Sequence, residues 1–165
     1  MNLMIRPTQS TDEDTLWVML YYAAHMQRDG ATSLFAARDV PYLARYVAGW
    51  GRPTDLGVIG ICAQEPVGAV WSRLLIGEEQ TPSYIDDETP ELAAAVLPEF
   101  VGQGIGTRLL TAYLDLARAL FPAVVLSVRA ENPAHRLYQR IGFQTVDSII
   151  NRVGGNSCTM LYRFQ

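Results

Sequence analysis

The chain has 165 residues, of which 49% are hydrophobic and 18% are charged. This length suits a single buried core, and we expect one domain over residues 1–165. The formal net charge is -4, and the basic residues are scattered rather than clustered, which argues against a nucleic-acid partner. No segment has the apolar length of a membrane span, and the N-terminus lacks a signal-peptide pattern, so the sequence predicts a cytoplasmic protein with no membrane partner.

The first fifty residues predict one strand and two helices. Residues 3–6 are mostly apolar and form the strand, which Pro7 ends. Ser10–Glu13 matches a capping box and predicts a helix over residues 12–25. Apolar positions at helical spacing predict a second helix over residues 39–50.

The middle of the chain predicts an antiparallel hairpin followed by a loop. Residues 56–63 and 67–76 are β-type runs, and the polar residues 64–66 between them have the length of a hairpin connection. The next segment, residues 77–90, carries five acidic side chains. We therefore expect it to be an exposed loop.

A strand of small residues, Glu91–Leu97, leads into a glycine-rich turn after Pro98. The turn opens a helix that we expect to end near Pro122. The apolar positions predicted for the buried face of this helix are Ile105, Leu109, Ala112, Tyr113, Leu116 and Leu120.

The last forty residues predict a strand, a helix and a hairpin. Residues 124–128 are β-branched and suit a buried strand. Asn132 precedes a proline at the start of the next helix, and Gly142 suits its C-terminal cap. A turn at residues 154–156 joins the final two strands.

Other reactive side chains do not indicate a different chemistry. Cys62 and Cys158 lie in apolar or strand-like runs without metal-binding spacing, so we expect reduced thiols and no metal. His25 and His135 suit structural or solvated positions on their helices. Ser72 and Ser127 have no recognisable partners in a nucleophile motif, which argues against a serine hydrolase.

The glycine-rich turn has the composition of a phosphate site. Glycines at 102, 104 and 106 allow a sharp bend and a close approach of main-chain N–H groups to an anion at a helix N-terminus. A P-loop would have lysine after Gly106, and a dinucleotide fingerprint would have a third glycine where Thr107 stands. The pattern by itself leaves open a different phosphate motif or a turn that only redirects the chain.

The residues from Val101 to Gly106 resemble the acetyl-CoA-binding motif of the GNAT superfamily of N-acetyltransferases, Arg/Gln-x-x-Gly-x-Gly/Ala. Asn132-Pro133-Ala134, Leu137-Tyr138 and Gly142-Phe143 are similar to later elements of the same family pattern. Val101 departs from it, because arginine or glutamine is usual there. The resemblance covers the whole chain and implies an α+β fold of three layers. Its centre would be a twisted, mostly antiparallel mixed sheet of six to seven strands flanked by four helices.

The same resemblance implies acetyl-CoA as co-substrate and no metal. The main chain of residues 94–96 would pair with the pantetheine arm, and the glycine-rich turn would surround the pyrophosphate. The implied cofactor-binding residues are Ala94, Ala95, Val96, Leu97, Gly102, Gln103, Gly104, Ile105, Gly106, Thr107, Asn132, Ala134 and Tyr138.

Acetyl transfer to an amine needs a base, an oxyanion donor and an acid for the departing thiolate. By resemblance, Tyr138 is the acid, although a core aromatic with a locally bonded hydroxyl is the alternative. Glu91 is the candidate base, and the alternative is a carboxylate that caps an exposed strand end. The oxyanion donor would be a main-chain N–H near Val96 and Leu97.

The acceptor would be a primary amine of a small molecule or a peptide. An acidic loop at residues 77–90, with the aromatic residues Tyr21, Tyr22, Tyr42, Tyr46 and Trp50, would suit a cationic amine. The alternative is that the acids are solvated and the aromatics belong to the core. A non-catalytic acyl-CoA-binding module is the competing function, and a homodimer stays open.

Overall fold

The computed structural model describes residues 2–165, which form seven strands and four α-helices. Their bounds are β1 Leu3–Pro7, α1 Glu13–Ala23, α2 Pro41–Ala44, β2 Leu56–Cys62, β3 Glu65–Arg73, β4 Glu91–Val96, α3 Ile105–Ala117, β5 Ala123–Arg129, α4 Ala134–Ile141, β6 Gln144–Ile150 and β7 Asn156–Arg163. The strands lie in one mixed sheet in the order β1-β2-β3-β4-β5-β7-β6, with β4 and β5 parallel. The predicted α+β fold class and its counts of strands and helices are thus confirmed.

The chain divides into two compact units. The first contains the chain up to Arg73 together with Ala93–Ala117, and the second contains Leu74–Leu92 with Arg118–Gln165. The expectation of one domain stays a prediction. Within residues 2–165, no helix combines the length and apolar character that crossing a membrane requires.

The β2–β3 hairpin of the first unit is antiparallel, as predicted, but its connection is shorter. Ala63 and Gln64 form a two-residue turn with φ angles of 50° and 69°. Positive φ at both positions matches the twist of the flanking strands. β3 therefore begins at Glu65, inside the segment predicted as the connection.

Two glycines of this hairpin make room for helix α3. A Cβ atom on Gly60 would lie 3.2 Å from Cδ2 of Leu109, and one on Gly68 would lie 3.0 Å from its Cδ1. Leu109 is fully buried, and Ile105 and Tyr113 on the same helix are buried beside it. This packing places helix α3 against the β2–β3 hairpin.

The predicted first helix begins slightly later than expected. Ser10–Asp12 is a short 3₁₀ turn, and α1 follows it. The capping box is formed by Gln9 and Asp12, one residue earlier than predicted, and the Gln9 N–H donates to the Asp12 carboxylate over 2.7 Å. Arg6 donates two further 2.8 Å bonds to that carboxylate. These bonds hold the pKa of Asp12 below its ordinary value, although burial acts in the opposite direction.

The prediction of a helix over residues 39–50 is wrong, because α2 has only a single turn. The guanidinium of Arg73 reaches this segment from the end of β3. Its Nη1 donates to the carbonyl oxygens of Arg45 (3.0 Å) and Ala48 (2.8 Å). These two carbonyls would accept main-chain hydrogen bonds in a longer helix, but here they accept from the buried guanidinium of Arg73.

The predicted face of α3 is partly wrong. The helix ends at Ala117, well before Pro122, and Leu116 and Leu120 are exposed. Leu110 and Leu114 are buried in their place. The buried face of α3 is wide, so it includes Leu110 and Leu114, which are adjacent in sequence to the predicted positions Leu109 and Tyr113.

The second unit contains the β5–β7–β6 arrangement and the segment before β4. β5 and β6 both pair with β7 in antiparallel register, as the predicted hairpin requires. The expectation that residues 77–90 are an exposed loop is wrong in part. Thr81, Ser83 and Thr89 are buried, whereas its acidic residues lie at the surface or are half-buried.

Candidate active site

The turn between β4 and α3 has the backbone conformation that its glycines permit. A short 3₁₀ turn over Pro98–Phe100 follows β4, and then Gly102 and Gly104 both adopt φ of 79°. Side-chain-bearing residues rarely adopt such angles. A Cβ atom on either glycine would meet no atom within 4 Å. Each of these two glycines therefore has open space on the side where a side chain would stand.

The main-chain N–H groups of residues 101–107 donate no hydrogen bond within the described chain. The first amide to do so is that of Arg108, which donates to the carbonyl of Gly104 over 3.2 Å. Unbonded amides at the start of a helix of thirteen residues carry its positive dipole end. This arrangement suits the oxygens of a phosphate.

The end of β4 offers main-chain groups on one edge. The Leu97 N–H donates to the carbonyl of Val67 on β3 over 2.8 Å. Since successive N–H groups of an extended chain point to opposite edges, the amide of Val96 points away from β3. Of the two positions predicted to carry the oxyanion donor, Val96 is therefore the one with an available amide. Ala94 points its main-chain groups to the same edge as Val96.

Gly68 lets β3 approach this part of β4 closely. A Cβ atom on Gly68 would lie 2.9 Å from the carbonyl oxygen of Ala95 and 3.4 Å from the Cα of Val96. Because main-chain atoms cannot rotate away, any larger residue would displace β4. The sequence shows Gly68 in a β-type run, but nothing there indicates which strand it faces.

Glu91, the first residue of β4, is a buried carboxylate with a fixed partner. It pairs with Val125 of β5, and its side chain is only 5% exposed. The Thr81 hydroxyl donates to its Oε1 over 2.5 Å. The alternative of a cap on an exposed strand end is therefore wrong. Thr81 was missed by sequence reasoning, since no motif surrounds it.

Helix α4 begins at Asn132-Pro133-Ala134 for local physical reasons. The Asn132 Oδ1 accepts a hydrogen bond from the Ala134 N–H over 2.9 Å, and Pro133 has φ of −58°. The asparagine thus bonds one amide of the helix start, while the proline has no N–H to satisfy. Gly142 ends the helix with φ of 126°, as predicted.

Tyr138 lies on the buried face of α4. Its ring makes an edge-on contact with Phe143 at 5.7 Å, and burial raises the pKa of its hydroxyl to about 12. No residue of the described chain makes a hydrogen bond with that hydroxyl. The phenol is protonated at neutral pH and is not bonded locally, so the alternative of a locally bonded core tyrosine is not what the structure shows.

The predicted aromatic acceptor residues belong mainly to the core. Tyr21, Tyr46 and Trp50 are buried, and the Tyr21 hydroxyl donates to the carbonyl of Ala31 over 2.6 Å. Tyr42 is half-buried and carries the Arg45 guanidinium over its ring at 5.1 Å. These contacts weaken the case for an aromatic site for a cationic amine.

The remaining candidates form no second site. Among residues 2–165, no group of three or more His, Cys, Asp or Glu side chains is arranged to hold a metal ion. Cys62 and Cys158 are free thiols. His135 lies 3.5 Å from the Thr145 hydroxyl, and Ser127 is exposed.

A model of the acetyltransferase (GNAT) family matches residues 24–143, which are most of the chain and include the glycine-rich turn and helix α4. The chain belongs to this family. It is therefore an acyltransferase of the GNAT class, as the sequence predicted. No curated protein matches this chain at a significant level.

Solved structures share the fold of this GNAT protein at low sequence identity. A GNAT acetyltransferase from Streptococcus pneumoniae is 17% identical with a TM-score of 0.69, and the match covers 99% of this chain and 100% of that one. The putative acetyltransferase yncA from Salmonella typhimurium, solved with its cofactor acetyl-CoA, is 17% identical with a TM-score of 0.69, over 100% and 95%. Ard1 from Thermoplasma volcanium is 20% identical with a TM-score of 0.68, over 100% and 99%.

Proposed function

We propose that this protein binds acetyl-CoA at residues 101–107 and transfers the acetyl group directly to a primary amine of a small molecule or peptide. The observation that carries the proposal is the run of unbonded amides that leads into the start of α3. Hydrogen bonds to a charged partner contribute roughly 1.5–3 kcal/mol each, so a few amides can hold a pyrophosphate without a basic side chain. Val101 in place of arginine or glutamine is compatible with that.

The outward edge of β4 is the proposed contact for the pantetheine arm. The main-chain groups of Ala94 and Val96 point away from β3, which leaves them to pair with an extended ligand as an added strand would. The Val96 amide is also the proposed donor to the carbonyl oxygen on which negative charge develops. Because this donor is a main-chain group, a side-chain substitution would not remove it.

Tyr138 is the proposed acid. As the nitrogen of the amine forms a bond to the carbonyl carbon, the carbon–sulfur bond breaks and the sulfur leaves with the electron pair. The Tyr138 hydroxyl donates its proton to that sulfur. Its raised pKa keeps this proton in place over the whole neutral range.

Glu91 is the proposed base, which takes a proton from the amine directly or through a water molecule. A buried carboxylate aligned by a hydroxyl is held in one orientation, as proton transfer requires. Changing Glu91 to Gln removes the proton acceptor and keeps the shape of the side chain. We expect kcat to fall about 100-fold or more in that variant.

Calorimetric titration with coenzyme A tests the binding site. Gly104→Ala places a side chain at a positive φ over the turn and should weaken binding about tenfold or more, since it costs backbone strain and hinders close approach. Gly154→Ala is the matched control, because Gly154 also has positive φ (87°) in open space, in the β6–β7 hairpin. Absence of measurable heat with the wild-type protein would overturn the proposal.

Release of free coenzyme A thiol from acetyl-CoA tests the transfer. The acceptors are spermidine, kanamycin, free amino acids and a short peptide with a free N-terminus. Turnover with at least one of these amines, reduced about tenfold or more in Tyr138→Phe, is the expected result. Binding of coenzyme A without turnover on any of them would contradict the transferase proposal and leave the binding site in place.

A further inference from the structure

The buried carboxyl group of Glu91 accepts a hydrogen bond from the Thr81 hydroxyl. The last torsion of a glutamate side chain is broad, so a hydrogen bond to the carboxyl group favours one of its orientations. Burial restricts the side chain but does not choose the plane of its two oxygens. We propose that Thr81 is a positioning residue that fixes the plane of the Glu91 carboxylate for proton transfer. The inference rests on the proposed role of Glu91 as base.

The Thr81 hydroxyl is the donor in its hydrogen bond to Glu91, because an ionised carboxylate can only accept. A threonine hydroxyl has one proton and two lone pairs. The main-chain N–H of Ser83 donates to the Thr81 Oγ1 over 3.1 Å, which occupies a lone pair. The hydroxyl proton is then directed to the Oε1 of Glu91.

Thr81 is itself held in place by a second buried bond. The Ser83 hydroxyl lies 2.8 Å from the hydroxyl of Thr159 on β7, and both residues are buried. The segment before β4 is thus tied to the sheet at Ser83, two residues after Thr81. A branched side chain on a tied backbone has few rotamers, so the Thr81 hydroxyl is a fixed donor.

The same segment contains a second buried threonine that serves as an internal comparison. The Thr89 hydroxyl donates to the Oδ1 of Asp86 over 2.8 Å. The carboxylate in that pair is exposed at the surface and belongs to no proposed chemical step. Thr89 and Thr81 therefore match in residue type, burial and segment, and differ in the carboxylate that they align.

The test compares Thr81→Val, Thr81→Ser and Thr89→Val. Valine keeps the shape of threonine and removes the hydroxyl, whereas serine keeps the hydroxyl. The assay measures kcat and the KM for acetyl-CoA with the fastest amine among spermidine, kanamycin, amino acids and the peptide. Thr81→Val should lower kcat about tenfold with KM for acetyl-CoA unchanged, because a misaligned base slows proton transfer alone. Thr81→Ser should restore kcat, and Thr89→Val should leave it at the wild-type value.

Glu91→Gln separates a failure of this inference from a failure of the proposed function. If Thr81→Val lowers kcat in the wild-type background and has no further effect in the Glu91→Gln background, the positioning role is supported. A low kcat for Glu91→Gln with a normal kcat for Thr81→Val would overturn the role of Thr81 and retain the base. A normal kcat for Glu91→Gln, or no turnover with any amine, would remove the proposed function and this inference with it.

Two further results would overturn the inference by showing general damage to the segment. One is an equal loss of kcat in Thr81→Val and Thr89→Val. The other is a failure of Thr81→Ser to restore kcat although its thermal midpoint equals that of the wild type. If Thr81→Val does not fold, Thr81→Ala replaces it in the same comparison, since alanine leaves space instead of an apolar methyl group beside the carboxylate.

Discussion

The turn at residues 101–107 and the segment at residues 45–55 lie in the same unit but are built in opposite ways. The turn is shaped by its own glycines, and its amides make no bond within the described chain. The other segment is shaped by Arg73, which donates to two of its carbonyls and forms an ion pair with Asp55. The first conformation is encoded locally and could be predicted, whereas the second depends on a residue far along the chain and could not.

The largest effect is expected from removing Asp55, the carboxylate that pairs with Arg73. The two side chains are 1% and 2% exposed, and Asp55 also accepts hydrogen bonds from the N–H groups of Gly51 and Arg52. Asp55→Ala leaves a buried, uncompensated guanidinium, so we expect a loss of about 3–5 kcal/mol in the free energy of unfolding. Urea denaturation measures it.

The exposed pair between Arg38 and Asp14 provides the control. It has a similar distance of 2.9 Å, but the Asp14 side chain is 82% exposed. Asp14→Ala should cost at most about 1 kcal/mol, because solvent screens the pair. Equal losses in the two variants would mean that Arg73 does not organise the segment at residues 45–55.

Two buried tyrosines show how a side chain can be buried with or without a partner. The Tyr113 hydroxyl donates to Ser72 over 2.6 Å, whereas that of Tyr138 has no partner in the described chain. Burial raises the pKa of both above the ordinary value of 10. The folded protein therefore retains these protons at a pH where the unfolded chain loses them.

The sign of the Tyr138 effect follows from this pKa. Its contribution to stability is complete below pH 10 and is lost as the pH rises towards about 12, the raised pKa. Tyr138→Phe should therefore lessen the alkaline loss of stability by roughly 2–3 kcal/mol over that interval. Urea denaturation at several pH values measures it. An unchanged alkaline slope would show that the Tyr138 hydroxyl is more solvated than its burial implies.

The sequence predicted the parts of the candidate site that are locally encoded. Gly102 and Gly104 imply their φ angles, and Asn132 with Gly142 marks the ends of α4. It did not predict the Thr81 bond to Glu91, because ten residues separate them and neither position carries a motif. The positions of the strands and the class of the fold follow from apolar patterning. Hydrogen bonds between side chains distant in sequence leave no local signal.

A variant of Gly68 tests whether the position of β4 depends on the space that this glycine of β3 leaves for it. In Gly68→Ala the new Cβ would lie 2.9 Å from the Ala95 carbonyl oxygen, so β4 must shift. We expect a loss of about 1–3 kcal/mol in stability and weaker binding of coenzyme A. Denaturation and calorimetry measure the two effects.

Gly60→Ala is the matched variant on the neighbouring strand. Its Cβ would meet the side chains of Leu109 and Leu3 at 3.2 Å, and side chains can adjust where a main-chain carbonyl cannot. It should leave the affinity for coenzyme A unchanged. If both variants weaken binding alike, the close approach of β3 to β4 is not what shapes the edge of β4 proposed to contact coenzyme A.

The smallest effect is expected from adding a positive charge to the turn at residues 101–107, the proposed phosphate site. Val101 is 62% exposed and precedes the unbonded amides. Val101→Arg should tighten binding of coenzyme A about fivefold at low salt, because an exposed charged contact contributes about 1 kcal/mol. The gain in affinity should fade as salt rises.

Val146→Arg is the control, because it puts the same charge on an exposed valine of β6 and should leave the affinity for coenzyme A unchanged. A gain much above tenfold would mean that the amides alone hold the phosphates poorly, and that the turn depends on a side chain after all.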